Sequence, residues 1–355
     1  MGEPAESSQD VDPHWTEPGV YAVAAGVHRM PLPLPQDGLR AINVYLIEGP
    51  DGPSLIDAGW ATGEARETLR RALRAVGLGV ADIRSILVTH IHRDHYTQAM
   101  TIRREGGARV SLGEGERESL AALNDLSHQQ HQIPLLERSG AADLAAEWKA
   151  MFAGRVRDLS LWEEPDGWLR GGPVHVGSRS LDAIETPGHT RGHLVFADIE
   201  AGLLFAGDHV LPTMTPSIGF EPVPSPLPLA DYLTSLAKVR ALPDLRLLPA
   251  HGPVTESVHA RVDQLLVHHA ERLDRCRDAA VGRIVSAYDV AGDLPWTRRA
   301  LRLDTLDSYN AALAVLETGA HLEVLVARGE VRRVSGDGVG EIVGYQAVGG
   351  DLTRS

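Results

Sequence analysis

The segment SILVTHIHRDH, residues 85–95, says most about how this chain folds. Its apolar start is typical of a buried strand, and the polar cluster that follows begins where that strand ends. Side chains two positions apart on extended backbone point the same way, so His90 and His92 can bind one metal ion. Asp94 and His95 come at the turn into the next helix, where they can face a second ion. The segment therefore predicts a metal site where a strand runs into a loop.

The spacing of these histidines differs from that of the helical zinc motif, whose two histidines stand four residues apart on one helix face. Imidazole and carboxylate ligands suit zinc, and also iron or manganese. The alternative explanation is that the histidines are solvated at a strand end. Three histidines and an aspartate within six residues make that alternative the less favoured one.

Three further groups of polar residues follow apolar runs and stand beside glycine. They are TPGHT at residues 186–190, the Gly207–Asp208 pair, and AHG at residues 250–252. Loops of this kind are where a rigid scaffold commonly places functional groups. Each is therefore a potential source of metal ligands.

The histidine and cysteine content restricts the metal chemistry further. The 355 residues include 16 histidines but a single cysteine, Cys276, which excludes an internal disulfide and a multi-thiolate metal site. Any bound metal must therefore be held by imidazole and carboxylate groups.

The charge and the hydropathy of the chain disfavour two classes of partner. The net charge is −14, whereas nucleic-acid affinity depends on Lys and Arg displacing counterions from phosphates. No stretch approaches the roughly 18 uninterrupted apolar residues of a membrane-spanning helix. The acidic, polar start, residues 1–15, lacks the basic and apolar regions of a secretory signal. We therefore expect a cytoplasmic protein with a flexible lead over residues 1–18 and no membrane partner.

The predicted elements alternate between strand and helix, which indicates a layered α/β (α+β) architecture. Residues 19–255 read as two β-rich halves with helices outside, beginning with strands at 21–27, 41–48 and 54–58. Thr62 can cap the helix that follows, which is predicted to run through Gly77. Residues 118–168, which include Gln129 and Gln130, are predicted to be a helical insertion, and either a lid or a dimer interface would suit them. From residue 256, helices precede two short strands at 331–334 and 342–347, a pattern similar to a winged-helix module. We expect residues 256–355 to form a second, helical domain that is similar to a winged helix.

LIDAG, HIHRDH, TPGHT, the Gly-Asp pair and AHG occur in this order, and together they resemble the metallo-β-lactamase fold hydrolases. The resemblance covers most of residues 20–255 and implies an αββα sandwich with the site at one edge. It implies two metal ions, zinc or else iron or manganese. The ligands it implies are His90, His92 and His189 for one ion, Asp94, His95 and His251 for the other, and Asp208 bridging both. Asp94 and Asp208 are the implied catalytic residues.

The same resemblance implies residues that support the ligands. Asp57 matches an aspartate that orients ligands, and Thr89 and His193 are expected to assist it from behind the metal site. His209, beside Asp208, is expected to point away from the metals or toward substrate.

Departures from the family's patterns narrow the choice among its branches. Cys276 lies outside the site region, so the cysteine ligand of one group of true β-lactamases is excluded. Leu211 stands where the homoserine-lactone lactonases have a tyrosine, and His92 where flavodiiron proteins have a glutamate. Thr97 and Gln98 replace a glycine pair that often follows the aspartate and histidine. The ligand set resembles the glyoxalase II, lactonase and ribonuclease branches.

The C-terminal module resembles the tail of the β-lactamase-like 2 group, some of whose members cleave RNA. Two arginine sets could face RNA, or could be solvated among acidic neighbours such as Asp304, Asp307 and Glu330; we favour the solvated surface. The sets are Arg298, Arg299 and Arg302, and Arg328, Arg332 and Arg333.

These observations lead to three functional hypotheses. The first is a dinuclear zinc-dependent hydrolase in which a metal-bridging hydroxide attacks a small acyl substrate, a thioester, ester or lactone. Met214, Ile218 and Phe220 would then wall an apolar pocket, or else be ordinary core. The second is a metal-dependent phosphodiesterase or endoribonuclease that uses the C-terminal module as a substrate platform. The third is a non-catalytic metal-binding regulatory protein. Each of the three hypotheses is compatible with a homodimer.

Overall fold

A computed structural model describes residues 15–35, 38–125, 131–154, 158–177, 179–297, 299–335 and 341–349. The strands are β1 Tyr21–Ala24, β2 Val27–Pro33, β3 Ala41–Ile47, β4 Ser54–Ile56, β5 Ser85–Leu87, β6 Arg109–Gly113, β7 Gly167–Leu169, β8 Gly172–Val176, β9 Arg179–Glu185, β10 Leu194–Asp198, β11 Leu203–Gly207, β12 Arg246–Pro249, β13 Val331–Ser335 and β14 Gly344–Ala347. The α-helices are α1 Gly63–Ala75, α2 Arg93–Gly106, α3 Arg117–Asn124, α4 Gln132–Arg138, α5 Ala142–Phe152, α6 Pro228–Arg240, α7 Val258–Ala279, α8 Ala287–Asp293 and α9 Ser308–Ala327.

Two sheets lie face to face at the centre of the fold. The first has the strand order β1-β2-β3-β4-β5-β6-β7 and the second β12-β11-β10-β9-β8. Strands β4 to β7 are parallel, as are β11 and β12, and the other neighbours within these two sheets are antiparallel. Residues of both sheets share one buried cluster, in which the rings of Tyr45 and Phe205 meet edge to face at 5.4 Å.

The period-2 alternation of the strands explains why helices cover the outer faces. On β10, Phe196 points into the inter-sheet cluster, while Val195 and Ala197 point into a second core with α6, α7 and α9. The first sheet buries its outer face against α1 and α2. The αββα architecture is therefore confirmed, and so is the helix start at Thr62, whose hydroxyl accepts from the Ala65 N–H at 3.1 Å.

Two sequence predictions need correction. The expected strand over 21–27 is a hairpin, β1 and β2, that turns at Gly26 with φ of 66°. Strand β2 was not predicted because Pro31 and Pro33 argue against a strand, yet both pair with β3 inside the first sheet. The predicted insertion, 118–168, is helical over most of its described part, but its end belongs to β7, which pairs with β6.

The C-terminal part packs onto the second sheet and does not form a separate core. Buried residues of α7, α8 and α9 lie in the same cluster as those of β10, β11 and α6. Strands β13 and β14 form a two-stranded antiparallel sheet after α9, while the winged-helix identity stays a prediction. Helix α9 is long and apolar enough to cross a membrane, but 67% of its 18-residue apolar window is buried inside the protein. A buried core helix can have the same length and hydropathy.

Candidate metal centre

All seven predicted ligands meet at one edge of the sandwich, where strands of both sheets end. His90 and His92 follow β5, and Asp94 and His95 stand in the first turn of α2. The loops after β9, β11 and β12 carry His189, Asp208 and His251. The structure thus gathers ligands that the chain separates by up to about 160 residues, in the two groups that the resemblance implied.

The first group of donors is His90, His92, His189 and Asp208. His90 Nε2 lies 2.9 Å from His92 Nδ1, and His92 Nδ1 lies 3.0 Å from His189 Nε2. Asp208 Oδ2 lies 3.6 Å from His189 Nε2. These four side chains point their donor atoms at a common space.

The second group is Asp94, His95 and His251, and it also faces Asp208. Asp94 Oδ2 is 3.3 Å from His251 Nε2 and 3.7 Å from His95 Nε2. Asp208 Oδ1 is 3.4 Å from His251 Nε2 and 3.6 Å from His95 Nε2. The two oxygens of Asp208 therefore face different donor groups, as a bridging carboxylate requires.

These separations fit metal binding. Ligand atoms about 2.0–2.1 Å from a tetrahedral zinc ion lie about 3.4 Å from each other. Within the described residues, His95 Nε2, His251 Nε2 and Asp208 Oδ1 are buried and have no hydrogen-bond partner. Buried polar atoms without a partner are costly, and a metal ion would satisfy all three.

Hydrogen bonds behind the ligands set which ring nitrogen is available. Backbone carbonyls accept from the Nδ1–H of His189, at Ser217 (2.8 Å), and of His251, at Ala41 (2.8 Å). The Nδ1–H of His95 donates to Asp57 Oδ2 at 2.9 Å. Each of these three rings therefore turns its Nε2 toward the site, where a bound metal ion would take the place of a proton.

Asp57 and Thr89 form the support that the sequence predicted. The Thr89 N–H and hydroxyl donate to Asp57 Oδ1 at 2.8 and 3.0 Å, and the hydroxyl lies 3.1 Å from His90 Nδ1. Asp57 has φ of 59°, a left-handed backbone that Asp and Asn tolerate better than most residues. One carboxylate thus holds ligands from both donor groups.

His193 and His209 lie behind the ligands. His193 Nδ1 lies 2.9 Å from the Thr186 hydroxyl, and its Nε2 accepts from the Asp208 N–H at 3.2 Å. Its ring therefore orients the backbone of a ligand. The buried His209 ring lies 5.2 Å from the ring of Tyr232 and 6.0 Å from that of His193.

Two glycines let these elements approach closely. Gly188 has φ of 140°, and a Cβ there would lie 2.4 Å from the Cβ of Tyr232. Gly207 has φ of 50°, and a Cβ there would lie 2.7 Å from His193 Nε2. Larger residues at these positions would displace the loops that carry His189 and Asp208.

The electrostatics divide the imidazoles, because His90 and His92 are held neutral whereas His95 is held as a cation beside ionised carboxylates. Burial, reinforced by neighbouring histidines, lowers the pKa of His90 and His92 well below its usual value. Burial alone would lower the pKa of His95, but Asp57, Asp94 and Asp208 outweigh it and raise that pKa to about 10. Burial opposes ionisation of Asp94, yet His95 and His251 hold its pKa well below the usual range. The site therefore favours cations near its carboxylates.

The predicted pocket residues occupy different surroundings. Ile218 is buried in the core shared with α9, and the Phe220 ring contacts the rings of Trp148 and Tyr309 at 5.8 and 5.7 Å. Met214 offers its carbonyl to Arg261 Nη2 at 2.8 Å. Their role in substrate binding stays a prediction.

Sequence reasoning missed two buried carboxylates behind the His189 loop. Glu116 accepts from the Thr190 hydroxyl, and Glu221 Oε2 accepts from the Arg191 N–H at 2.8 Å. Burial raises the pKa of Glu116 to about 7, and burial together with Glu116 raises that of Glu221 to about 9. Nothing in the local sequence distinguishes them from surface glutamates.

Comparison with known proteins adds relatives to this geometry. The family described as Metallo-beta-lactamase superfamily matches residues 37–251. A "Probable metallo-hydrolase YqjP" of Bacillus subtilis is 25% identical over 307 residues, 84% of this chain and 91% of that protein. A crystal structure of a beta-lactamase domain protein from Burkholderia ambifaria has 27% identity and a TM-score of 0.73, covering 93% of each chain.

Two further relatives match shorter parts. A "Beta-lactamase-like protein 2 homolog" of Caenorhabditis elegans is 33% identical over 151 residues, 41% of this chain and 48% of that protein. A "Hydroxyacylglutathione hydrolase" of Cereibacter sphaeroides is 30% identical over 126 residues, 36% of this chain and 33% of that protein.

Proposed function

The chain belongs to the metallo-beta-lactamase superfamily, and we propose that it is a dinuclear zinc-dependent hydrolase of a small acyl substrate, a thioester, ester or lactone. Its His and Asp cluster is that of a metallo-hydrolase. The observation that carries the proposal is the shared carboxylate, because Asp208 turns one oxygen to each donor group. A site for a single metal ion would not need the second donor group, Asp94, His95 and His251.

Two metal ions in such a site supply Lewis acidity and a nucleophile at neutral pH. The residues of the chain provide the rest. His90, His92 and His189 would hold one ion and Asp94, His95 and His251 the other, and Asp208 faces both donor groups. Asp57 fixes His95 and, through Thr89, His90, so the donor atoms are oriented before a metal arrives.

The preference for an acyl substrate over RNA is supported by charge and by one relative. In the arginine sets considered for RNA, Arg302 lies 3.4 Å from Asp304 and Arg333 3.1 Å from Glu323, so acidic neighbours offset their charge. Arg298 is outside the described residues. The net charge of −14 opposes a polyanion, and one relative is named as a hydrolase of hydroxyacylglutathione, a thioester.

A substrate panel tests this proposal. Purified protein is loaded with Zn²⁺ and offered an acyl thioester, a lactone, a simple ester and a bis-aryl phosphodiester. We expect about two metal equivalents per chain and turnover of at least one acyl substrate. Hydrolysis of the phosphodiester alone would favour the nuclease hypothesis, and turnover that survives complete metal removal would refute the metallo-hydrolase.

A further inference from the structure

A second group of imidazole and carboxylate side chains lies between α7 and α9, outside the metal centre. It consists of His268 and His269 on α7 and Glu317 on α9, whose donor atoms lie within 4.8 Å of one another. We refer to these three residues as the α7–α9 cluster. None of the functional roles derived above involves them.

A chain of hydrogen bonds determines which nitrogen of His269 is available. The backbone carbonyl of Glu317 can only accept, so His321 Nδ1 donates to it, at 2.8 Å. The remaining nitrogen of neutral His321, Nε2, is then an acceptor, and His269 Nδ1 donates to it at 3.1 Å. His269 Nε2 is left as an unprotonated nitrogen with a lone pair.

That nitrogen has no hydrogen-bond partner within the part of the chain that the structure describes, and His269 is fully buried. A buried acceptor without a donor is destabilising unless something else binds it. Burial, followed by the neighbouring His321, lowers the pKa of His269 well below its usual value. Burial lowers that of His321 to about 3. Both rings are therefore neutral, as metal ligation requires.

We propose that His268, His269 and Glu317 form a binding site for a divalent transition metal, most suitably Zn²⁺. Two imidazoles and one carboxylate are ligands that zinc accepts, and a ring whose other nitrogen is hydrogen-bonded is the usual form of a histidine ligand. His321 has that supporting position behind His269. The site binds the ion between two helices that are adjacent in the core.

The nearby arginines have other partners. The Arg272 guanidinium stacks over the Trp296 ring at 4.0 Å and donates to the Pro295 carbonyl at 2.9 Å. Arg261 donates to the carbonyls of Leu211 and Met214. Burial raises the pKa of Glu317, with Arg272 acting in the opposite direction. A bound cation would keep this carboxylate ionised, so metal binding and Glu317 ionisation are coupled.

The separations of the donor atoms suit a bound ion. The three atoms lie within 4.8 Å of one another, and tetrahedral zinc ligands stand about 3.4 Å apart. His268 is only half-buried, so its side chain has room to adjust toward the buried ring of His269. The bound ion would stabilise the helix pair. Helix α6 packs against the same place, since its Tyr232 ring lies 5.4 Å from the His269 ring.

The test separates this site from the metal centre. Asp208→Ala combined with His92→Ala and His251→Ala removes ligands from both donor groups of the metal centre in the full chain. After chelation, this background is titrated with Co²⁺, whose absorption reports tetrahedral ligation, and metal content is measured after dialysis against Zn²⁺. We expect about one retained equivalent, which Glu317→Gln in the same background abolishes. His259→Ala, on α7 but away from the cluster, is the control and should retain the ion.

Thermal unfolding with and without Zn²⁺ provides a readout independent of catalysis. Zn²⁺ should raise the Tm of the background and of the His259→Ala control, but not that of Glu317→Gln. Glu317→Gln keeps the shape of the side chain, so the variant should fold, and His268→Gln offers a second, less buried ligand change. Failure of the background to bind Co²⁺ or Zn²⁺, or binding unchanged by Glu317→Gln, overturns the site. Neither result bears on the proposed hydrolase activity.

Discussion

The metal centre and the α7–α9 cluster use the same side-chain types on different scaffolds. In the metal centre, seven donors meet and most of them stand on loops that follow strands. In the α7–α9 cluster, three donors stand on two helices, within the same 4.8 Å that bounds each donor group of the metal centre. Loops can adjust each donor separately, whereas helices move their donors as a unit. Convergence of many ligands therefore favours strand ends, and a site between helices favours fewer ligands.

Removal of the bridging carboxylate should have the largest effect. Asp208→Asn takes away the charge that both donor groups face. We expect hydrolysis to fall by about 100-fold or more, beyond the usual loss for an outer hydrogen-bond partner. The measurements are kcat/KM on the best acyl substrate and metal content. Asp182→Asn, an exposed aspartate on β9, is the matched control. If the two sites are independent, metal bound at the α7–α9 cluster should survive.

Loss of the supporting carboxylate should have the next largest effect. Asp57→Asn keeps the volume and suits the left-handed backbone, but it weakens the hydrogen bond to His95. A drop of about 10- to 100-fold in metal affinity or activity is expected. Competition with a chelator of known affinity measures the former, and added Zn²⁺ should restore part of the activity. Unchanged metal affinity would show that the His95 ring needs no partner.

Helix α7 should influence the metal centre through Arg261. Its guanidinium holds the Leu211 and Met214 carbonyls, in the loop whose Ser217 carbonyl orients His189. We expect Arg261→Met to weaken metal binding by about 10-fold, the lower end for an indirect support. Arg275→Met, exposed on the same helix, is the comparison. A change in KM alone, with metal affinity intact, would instead place the loop on the substrate side.

The smallest effect concerns Glu116 and Glu221, the buried carboxylates behind the loop that carries His189. The folded-state pKa of Glu221 is raised from 4.5 to about 9 and that of Glu116 to about 7, so the folded state holds protons that the unfolded state releases. Their stabilising contribution is complete below pH 4.5 and is lost as pH rises toward 9. Glu221→Gln should remove part of this loss, making the variant more stable than wild type at pH 8 but not at pH 5.

Denaturant unfolding at both pH values measures the difference in the free energy of unfolding. Glu118→Gln, at an exposed position in the first turn of α3, should leave the pH dependence unchanged. Equal stability of Glu221→Gln and wild type at every pH would mean that this pair is ionised in the folded protein. Such a result would also weaken the inference that burial raises the pKa of Glu317 in the α7–α9 cluster.

Local sequence was sufficient to predict those strands, helices and loops that a short motif marks. The apolar run before His90, the hydroxyl of Thr62 and the glycines beside His189 and Asp208 each predicted a strand, a helix start or a loop that the structure contains. Strand β2 was not predicted because prolines such as Pro31 and Pro33 are unfavourable within a sheet. Its place in the sheet depends on pairing with β3.

The sequence by itself therefore determined a layered α/β architecture and the loops that could carry ligands, because periodicity, glycine and ligand spacing act over a few residues. The resemblance to the metallo-β-lactamase fold hydrolases added the αββα sandwich and the set of seven ligands. Only the tertiary structure decided which atoms meet. Asp208 faces both donor groups, Ser217 orients His189 over 28 residues, and His269 meets His321 over 52. Such contacts depend on how whole helices and sheets pack, and no short segment encodes that packing.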